Sequence, residues 1–217
     1  MKVDAVIFDL DGTLLNTAPD LTSAVNHALK TVGKDTVYSV EEVTAMIGNG
    51  VKNLISKALK TDASDIEQID SALVPFKEYY AEHLTDDTYA YEGIIDLLKK
   101  LKANKIKTAI VSNKYDAAVK ALSEKFFGNL IDVAIGEIDG VPKKPDKALV
   151  DMAIAELGVD PDGCYYVGDS DVDVTTAYNA DLPCICVAWG FKGKDFLVDF
   201  GATVICETVS DLEYLLL

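Results

Sequence analysis

The chain is poor in what a nucleic-acid or membrane protein needs. Lys and Arg together number 20 against 36 Asp and Glu, a formal net charge of -16, and a surface that negative repels a phosphate backbone. Nucleic-acid binding is excluded on that ground; a small anion is not, because one positive pocket is enough to hold it. No apolar run approaches the roughly 20 residues that span a bilayer, so no membrane partner is expected. Cys164, Cys184, Cys186 and Cys206 form no CxxC pair, and the only histidines, His27 and His83, stand far apart in sequence, which argues against a zinc site. Each cysteine lies in a strand-like apolar segment and reads as a buried, reduced packing residue. The start, Met1-Lys2-Val3-Asp4, runs into a short strand-like stretch carrying Asp4 and Asp9, unlike the apolar core of a signal peptide, so a cytoplasmic protein is expected. Internal repeats and low-complexity segments are also missing.

What the chain does have is the balance of a globular protein, 49% hydrophobic and 26% charged residues. Its 217 residues suffice for one core, or a core with a smaller insert. Short apolar runs at 3–9, 107–112, 132–136, 164–168 and 184–188 alternate with segments of helical period at 93–103, 115–126, 146–157 and 171–180. That βαβ rhythm predicts an α/β fold, a Rossmann-like doubly wound parallel sheet with helices on both faces. From about Asn16 to about Asp87 the rhythm fails, and 21–32, 40–47, 51–60 and 65–84 read as four helices. Ser39-Val40-Glu41-Glu42 fits a capping box opening the second of these, and a turn at Gly48-Asn49-Gly50 follows it. The expected division is a catalytic core of residues 1–15 and 88–217 with an inserted α-helical cap domain over 16–87.

Four groups of polar residues follow successive strand runs, on the edge where an open parallel sheet binds its ligands. Asp9-Leu10-Asp11-Gly12 ends the first run with two carboxylates two residues apart, and Gly12 lets the backbone turn sharply towards a ligand. Ser112-Asn113-Lys114 ends the second at the expected start of a helix, where backbone N–H groups suit phosphate; taken alone, Ser112 and Asn113 read first as a helix cap. Lys143-Lys144-Pro145 precedes the next helix and offers a counter-charge for phosphate, or a solvated loop lysine. Gly168-Asp169-Ser170-Asp171-Val172-Asp173 supplies acids of the kind that hold a hard cation such as Mg²⁺, although Ser170 with Asp173 also matches a capping box. Singly each group is ambiguous; four of them on one sheet edge are a site.

Taken in order, Asp9-Leu10-Asp11-Gly12-Thr13, Ser112-Asn113, Lys144-Pro145 and Gly168-Asp169-Ser170-x-x-Asp173 resemble the four motifs of the haloacid dehalogenase-like hydrolases. Within that superfamily the likeness is greatest to phosphoglycolate phosphatases, which also carry a helical cap after the first strand. The chain departs from the common pattern at Asn16, Tyr91, Lys147 and Asp181, none of which is expected to do chemistry. The resemblance implies a phosphatase that hydrolyses a small phosphorylated metabolite through an aspartyl-phosphate. In it Asp9 is the nucleophile, Asp11 the general acid and base, and Ser112, Asn113 and Lys144 hold the phosphoryl group with Asp9. Mg²⁺ is held by Asp9, the Asp11 backbone carbonyl and Asp169, and Asp173 orients its waters and Lys144. Gly48, Asn49 and Gly50 present backbone N–H groups to the substrate, or simply end a helix. Asp11 argues against dehalogenase chemistry, which needs no acid for a halide. A β-phosphoglucomutase-like phosphomutase and a pyrophosphatase use the same core. A catalytically silent binding module is disfavoured by the presence of Asp9, Asp11 and Lys144, and no oligomeric state is implied.

Overall fold

The structure is a computed structural model that describes residues 2–62 and 64–217; Met1 and Ala63 lie outside the described residues. From the first strand, β1 (Ala5–Phe8), the chain passes through a tight loop and a short β2 (Leu15–Asn16) into four helices, α1 (Ala18–Thr31), α2 (Val40–Met46), α3 (Val51–Leu59) and α4 (Ile66–His83). A short β3 (Tyr89–Ala90) and α5 (Ile94–Ala103) lead to β4 (Lys107–Tyr115), α6 (Asp116–Phe126), β5 (Val133–Glu137), α7 (Ala148–Leu157) and β6 (Cys164–Gly168). The chain ends with α8 (Asp171–Asn179), β7 (Cys184–Val187), α9 (Gly193–Phe200), β8 (Ile205–Cys206) and α10 (Val209–Leu216).

The main sheet has the order β5-β4-β1-β6-β7-β8 and is parallel throughout. It is the doubly wound α/β sheet that the apolar rhythm predicts. Ala5, Val6, Ile7 and Phe8 of β1 are all fully buried, as a central strand covered on both faces must be, which is why this run is continuously apolar and not alternating. Burial of each large apolar side chain contributes about 1.5–3 kcal/mol. Because the chain moves from β1 to β4 on one side and later to β6 on the other, the strand order reverses at β1. Its carboxyl end therefore opens on the crevice where such sheets bind ligands.

Three local differences from the sequence expectation have physical causes. The sheet gains a sixth strand, β8, whose two residues are too few to show a pattern. Strand β4 continues through Ser112, Asn113 and Lys114 with a register shift between Val111 and Tyr115, so these residues do not open a helix; α6 starts at Asp116. Gly136 of β5 permits this, since a Cβ there would lie 2.5 Å from the Lys114 carbonyl oxygen. Helix α7 begins at Ala148, beyond Pro145, because the Asp146 carboxylate accepts the Ala148 N–H at 2.8 Å and turns the chain first.

The contacts divide the chain into two compact units, one formed by the stretch ending at Asn16 together with Ala90–Leu217, the other by Thr17–Tyr89. In the helical unit, Leu21, Ala24, Val25, Ala28 and Leu29 of α1 are buried at spacings of three and four. They pack with Ile69, Ala72, Leu73, Phe76 and Tyr80 of α4, the apolar stripe of an amphipathic pair. The capping box at α2 forms, with Ser39 N–H on Glu42 at 2.8 Å and Glu42 N–H on Ser39 Oγ at 3.3 Å. Among the described residues no helix is long and apolar enough to cross a membrane.

The two ends of the helical unit are tied by one buried carboxylate. Asp20 accepts the N–H groups of Asp87 and Thr88, each at 2.9 Å. Asp20→Ala leaves these donors without their acceptor and is expected to lower unfolding stability by about 1–3 kcal/mol, measured by urea denaturation. An unchanged midpoint would mean that the tie is not structural.

Candidate active site

Asp9 stands one residue past β1, its N–H still bonded to the Val167 carbonyl of β6 at 2.8 Å, which fixes the backbone from which its side chain projects. The chain then folds back tightly: Gly12 N–H reaches the Leu15 carbonyl at 2.8 Å, and the N–H groups of Leu14 and Leu15 both reach Leu10 at 3.0 Å. Gly12 sits at φ +89°, and a Cβ on it would lie 2.4 Å from Asp169 Oδ2. Both conditions require glycine. Asp169 follows β6 directly, and its Oδ2 accepts the Phe191 N–H at 2.6 Å.

The centre of the site is the ammonium of Lys144, only 3% exposed. It donates to Asp9 Oδ1 at 2.8 Å, to Asp173 Oδ1 at 2.8 Å and to the Tyr166 hydroxyl at 3.0 Å, one acceptor for each of its three protons. Tyr166 in turn donates to Asp173 Oδ1 at 3.1 Å. The other oxygen of Asp173 accepts from the N–H groups of Asp169 and Ser170 and from the Ser170 hydroxyl. Asp173 thus restrains the start of α8 with one oxygen and faces Lys144 with the other. Asn113 grips the Lys144 backbone from both sides, accepting its N–H and donating to its carbonyl, each at 2.9 Å. Ser112 is buried, and its Oγ accepts the Lys114 N–H at 3.2 Å.

Asp11 faces a second lysine. Lys114 Nζ lies 2.9 Å and 3.0 Å from its two oxygens. Gly48, Asn49 and Gly50 belong to the helical unit, where they join α2 to α3 with φ of 131°, 60° and 85°.

Burial sets the electrostatics. Desolvation raises the Asp9 carboxyl to about 7 from 3.8, with Lys144 opposing the rise and Asp173 and Asp11 adding to it. Asp169 is pushed well above the ordinary carboxyl range by burial and then by Asp173 and Asp9. Burial alone would depress Lys144, but the carboxylates of Asp173 and Asp9 outweigh it and hold the ammonium well above its usual range. Asp9, Asp169 and Asp173 each offer an oxygen within 4.8 Å of the others. An all-oxygen set of crowded, desolvated carboxylates fits a hard divalent cation, which favours their ionised forms. Because both Asp173 oxygens are already engaged, Asp9 and Asp169 are the members better disposed to ligate.

Tyr166 and Phe191 are not among the sequence candidates, and Lys114 stands there beside Ser112 and Asn113 without a task. A tyrosine inside a fully buried strand carried the one available signal, since a buried hydroxyl needs a partner. The Phe191 backbone carried none, and Lys114 acquires its partner only from the neighbouring strand.

The raised Asp9 value has a testable consequence in metal-free protein. Between 3.8 and about 7 the folded state holds a proton that the unfolded chain has lost, so stability is fullest below that window and falls as pH rises through it; Asp169 acts with the same sign. Denaturation in EDTA across this range is expected to show the decline, and Asp9→Asn to show a shallower one. An equal slope in the variant would assign the decline to other groups.

Comparison with known proteins agrees with this geometry. The sequence pattern described as haloacid dehalogenase-like hydrolase matches residues 6–187. Phosphoglycolate phosphatase 1 of Pseudomonas aeruginosa is 33% identical over 213 residues, 95% of this chain and 77% of that protein. Pyrophosphatase PpaX of Listeria welshimeri is 28% identical over 212 residues, 97% of this chain and 95% of that protein. The crystal structure of a candidate phosphoglycolate phosphatase from Lactobacillus delbrueckii subsp. bulgaricus superposes with a TM-score of 0.93 at 36% identity, covering 100% of this chain and 99% of that one.

Proposed function

The chain belongs to the haloacid dehalogenase-like hydrolases, and from that membership we propose that it is a Mg²⁺-dependent phosphatase hydrolysing a small phosphate monoester such as phosphoglycolate. The observation that carries the reading is the Lys144 ammonium held between Asp9 and Asp173 at the carboxyl end of β1, with Asp11 two residues beyond Asp9. The relatives named as phosphoglycolate phosphatases support the substrate class.

In this reading Asp9 attacks phosphorus in line while the ester P–O bond breaks, giving an aspartyl-phosphate. Asp11 gives a proton to the departing oxygen and then takes one from the water that discharges Asp9. Lys144 favours the ionised form of Asp9 and fixes its carboxylate for attack, and Asn113 contributes by holding the Lys144 backbone. Ser112 and nearby backbone N–H groups steady the phosphoryl oxygens. Asp9, Asp169 and the Asp11 carbonyl would hold Mg²⁺, which would supply positive charge to offset repulsion between carboxylate and phosphate dianion. Asp173 positions Lys144 and does not ligate. The helical unit, as a cap domain over residues 16–87, selects the leaving group, with Gly48-Asn49-Gly50 offering backbone N–H groups to a substrate carboxylate.

The likeness to a pyrophosphatase favours a second substrate class for the same residues. A phosphomutase would differ in depending on a bisphosphate activator. Inorganic phosphate release from a panel of monoesters and pyrophosphate separates the three, with expected release from a small monoester, loss in EDTA and a fall to background in Asp9→Asn. Asp169→Ala is expected to raise the Mg²⁺ concentration needed by at least about tenfold. Wild-type turnover in Asp9→Asn would refute the covalent mechanism, and an unchanged Mg²⁺ requirement would remove Asp169 from the metal site.

A further inference from the structure

Two buried lysines reach the same sheet edge, and the mechanism above gives a task to only one. Lys144 serves Asp9 and Asp173. Lys114 serves Asp11: its Nζ lies 2.9 Å and 3.0 Å from the two carboxylate oxygens, with the Lys114 side chain 5% exposed and that of Asp11 15%.

The pairing is built by the sheet. β4 lies beside β1 in parallel, Phe8 opposite Ile110, so the residues beyond Phe8 meet the last residues of β4 across the edge. The register shift after Val111, the close approach allowed by Gly136 and the Lys114 N–H bond to Ser112 Oγ set the backbone from which Lys114 reaches over. Asp11, by contrast, stands on a loop that turns at Gly12, where a side chain has rotamers to choose among. An ammonium against both oxygens fixes the plane of the carboxylate. A carboxylate held in one plane presents a fixed oxygen to the water that must lose a proton.

We infer that Lys114 is a positioning residue for the second half of the reaction, holding Asp11 as the oriented carboxylate that activates the hydrolytic water. In that step a water oxygen bonds to phosphorus, the bond from phosphorus to the Asp9 oxygen breaks, and the water proton passes to Asp11. Phosphate leaves, the Asp9 carboxylate returns, and the proton on Asp11 is the one given to the next leaving group. The inference rests on the phosphatase reading given above.

Rapid-quench kinetics on the full chain with Mg²⁺ and 4-nitrophenyl phosphate separate the two halves, because nitrophenolate departs without needing a proton. Lys114→Met is expected to release one equivalent of nitrophenolate as fast as wild type, then to turn over about a hundredfold more slowly while phosphoenzyme accumulates. Lys114→Arg should restore part of the steady rate. In an Asp11→Asn background Lys114→Met should slow the discharge no further, since its effect runs through Asp11. Lys114→Gln, which keeps the stem and a donor, provides the same comparison if the methionine variant does not fold. A slowed first turnover, or a raised KM at unchanged kcat, would make Lys114 a substrate ligand and overturn the assignment; so would wild-type discharge in Lys114→Met. A wild-type protein that neither forms phosphoenzyme nor releases phosphate would overturn the phosphatase reading, and this inference with it.

Discussion

Two carboxylates cannot be desolvated side by side at a strand end without a positive charge between them. At an effective dielectric of about 20, like charges about 4 Å apart repel by about 4 kcal/mol. The Lys144 ammonium at 2.8 Å from both Asp9 and Asp173 turns that repulsion into attraction, and much of the local structure serves to keep it there. Asn113 holds its backbone, Tyr166 takes its third proton, and the Asp173 oxygen that does not face it is fixed by the start of α8. Asp169 lies outside this pairing, and its raised value marks the charge that a bound cation would complete.

The glycines of the motifs follow from the same crowding. A Cβ on Gly168 would lie 2.3 Å from the Asp173 Cβ, and one on Gly190 would lie 2.3 Å from the Asp169 Cβ. With Gly12 on a further side, the acids are packed against bare backbone, which places their oxygens. The strand order contributes the rest. Reversal at β1 brings the ends of β1, β4 and β6 together, so residues separated by more than a hundred positions, Asp9 and Lys144 among them, meet on one edge.

Much of this was legible in the sequence because β1 and β6 are continuous apolar runs followed by acids. The runs at 3–9 and 164–168 gave β1 and β6, and their trailing acids gave Asp9, Asp11, Asp169 and Asp173 as candidates. The two-residue β8 was not legible, since no periodicity can show in two residues. Nor was the bulged end of β4, because Ser and Asn cap helices more often than they prolong strands, and what prolongs this one is a glycine on the neighbouring strand. Tyr166 looked like core because it is core; its hydroxyl acquires a function only where the sheet places Lys144 and Asp173 around it. The Lys114–Asp11 pair depends on strand adjacency, which spacing along the chain does not encode.

If the site works as proposed, Asp9 becomes covalently phosphorylated during turnover. The most direct test is mass spectrometry of peptides from enzyme quenched in acid during turnover of a small monoester with Mg²⁺. A gain of one phosphoryl group is expected on the peptide carrying Asp9, absent in Asp9→Asn. Turnover with no phosphoryl group on any peptide, or with one on a peptide lacking Asp9, would contradict it.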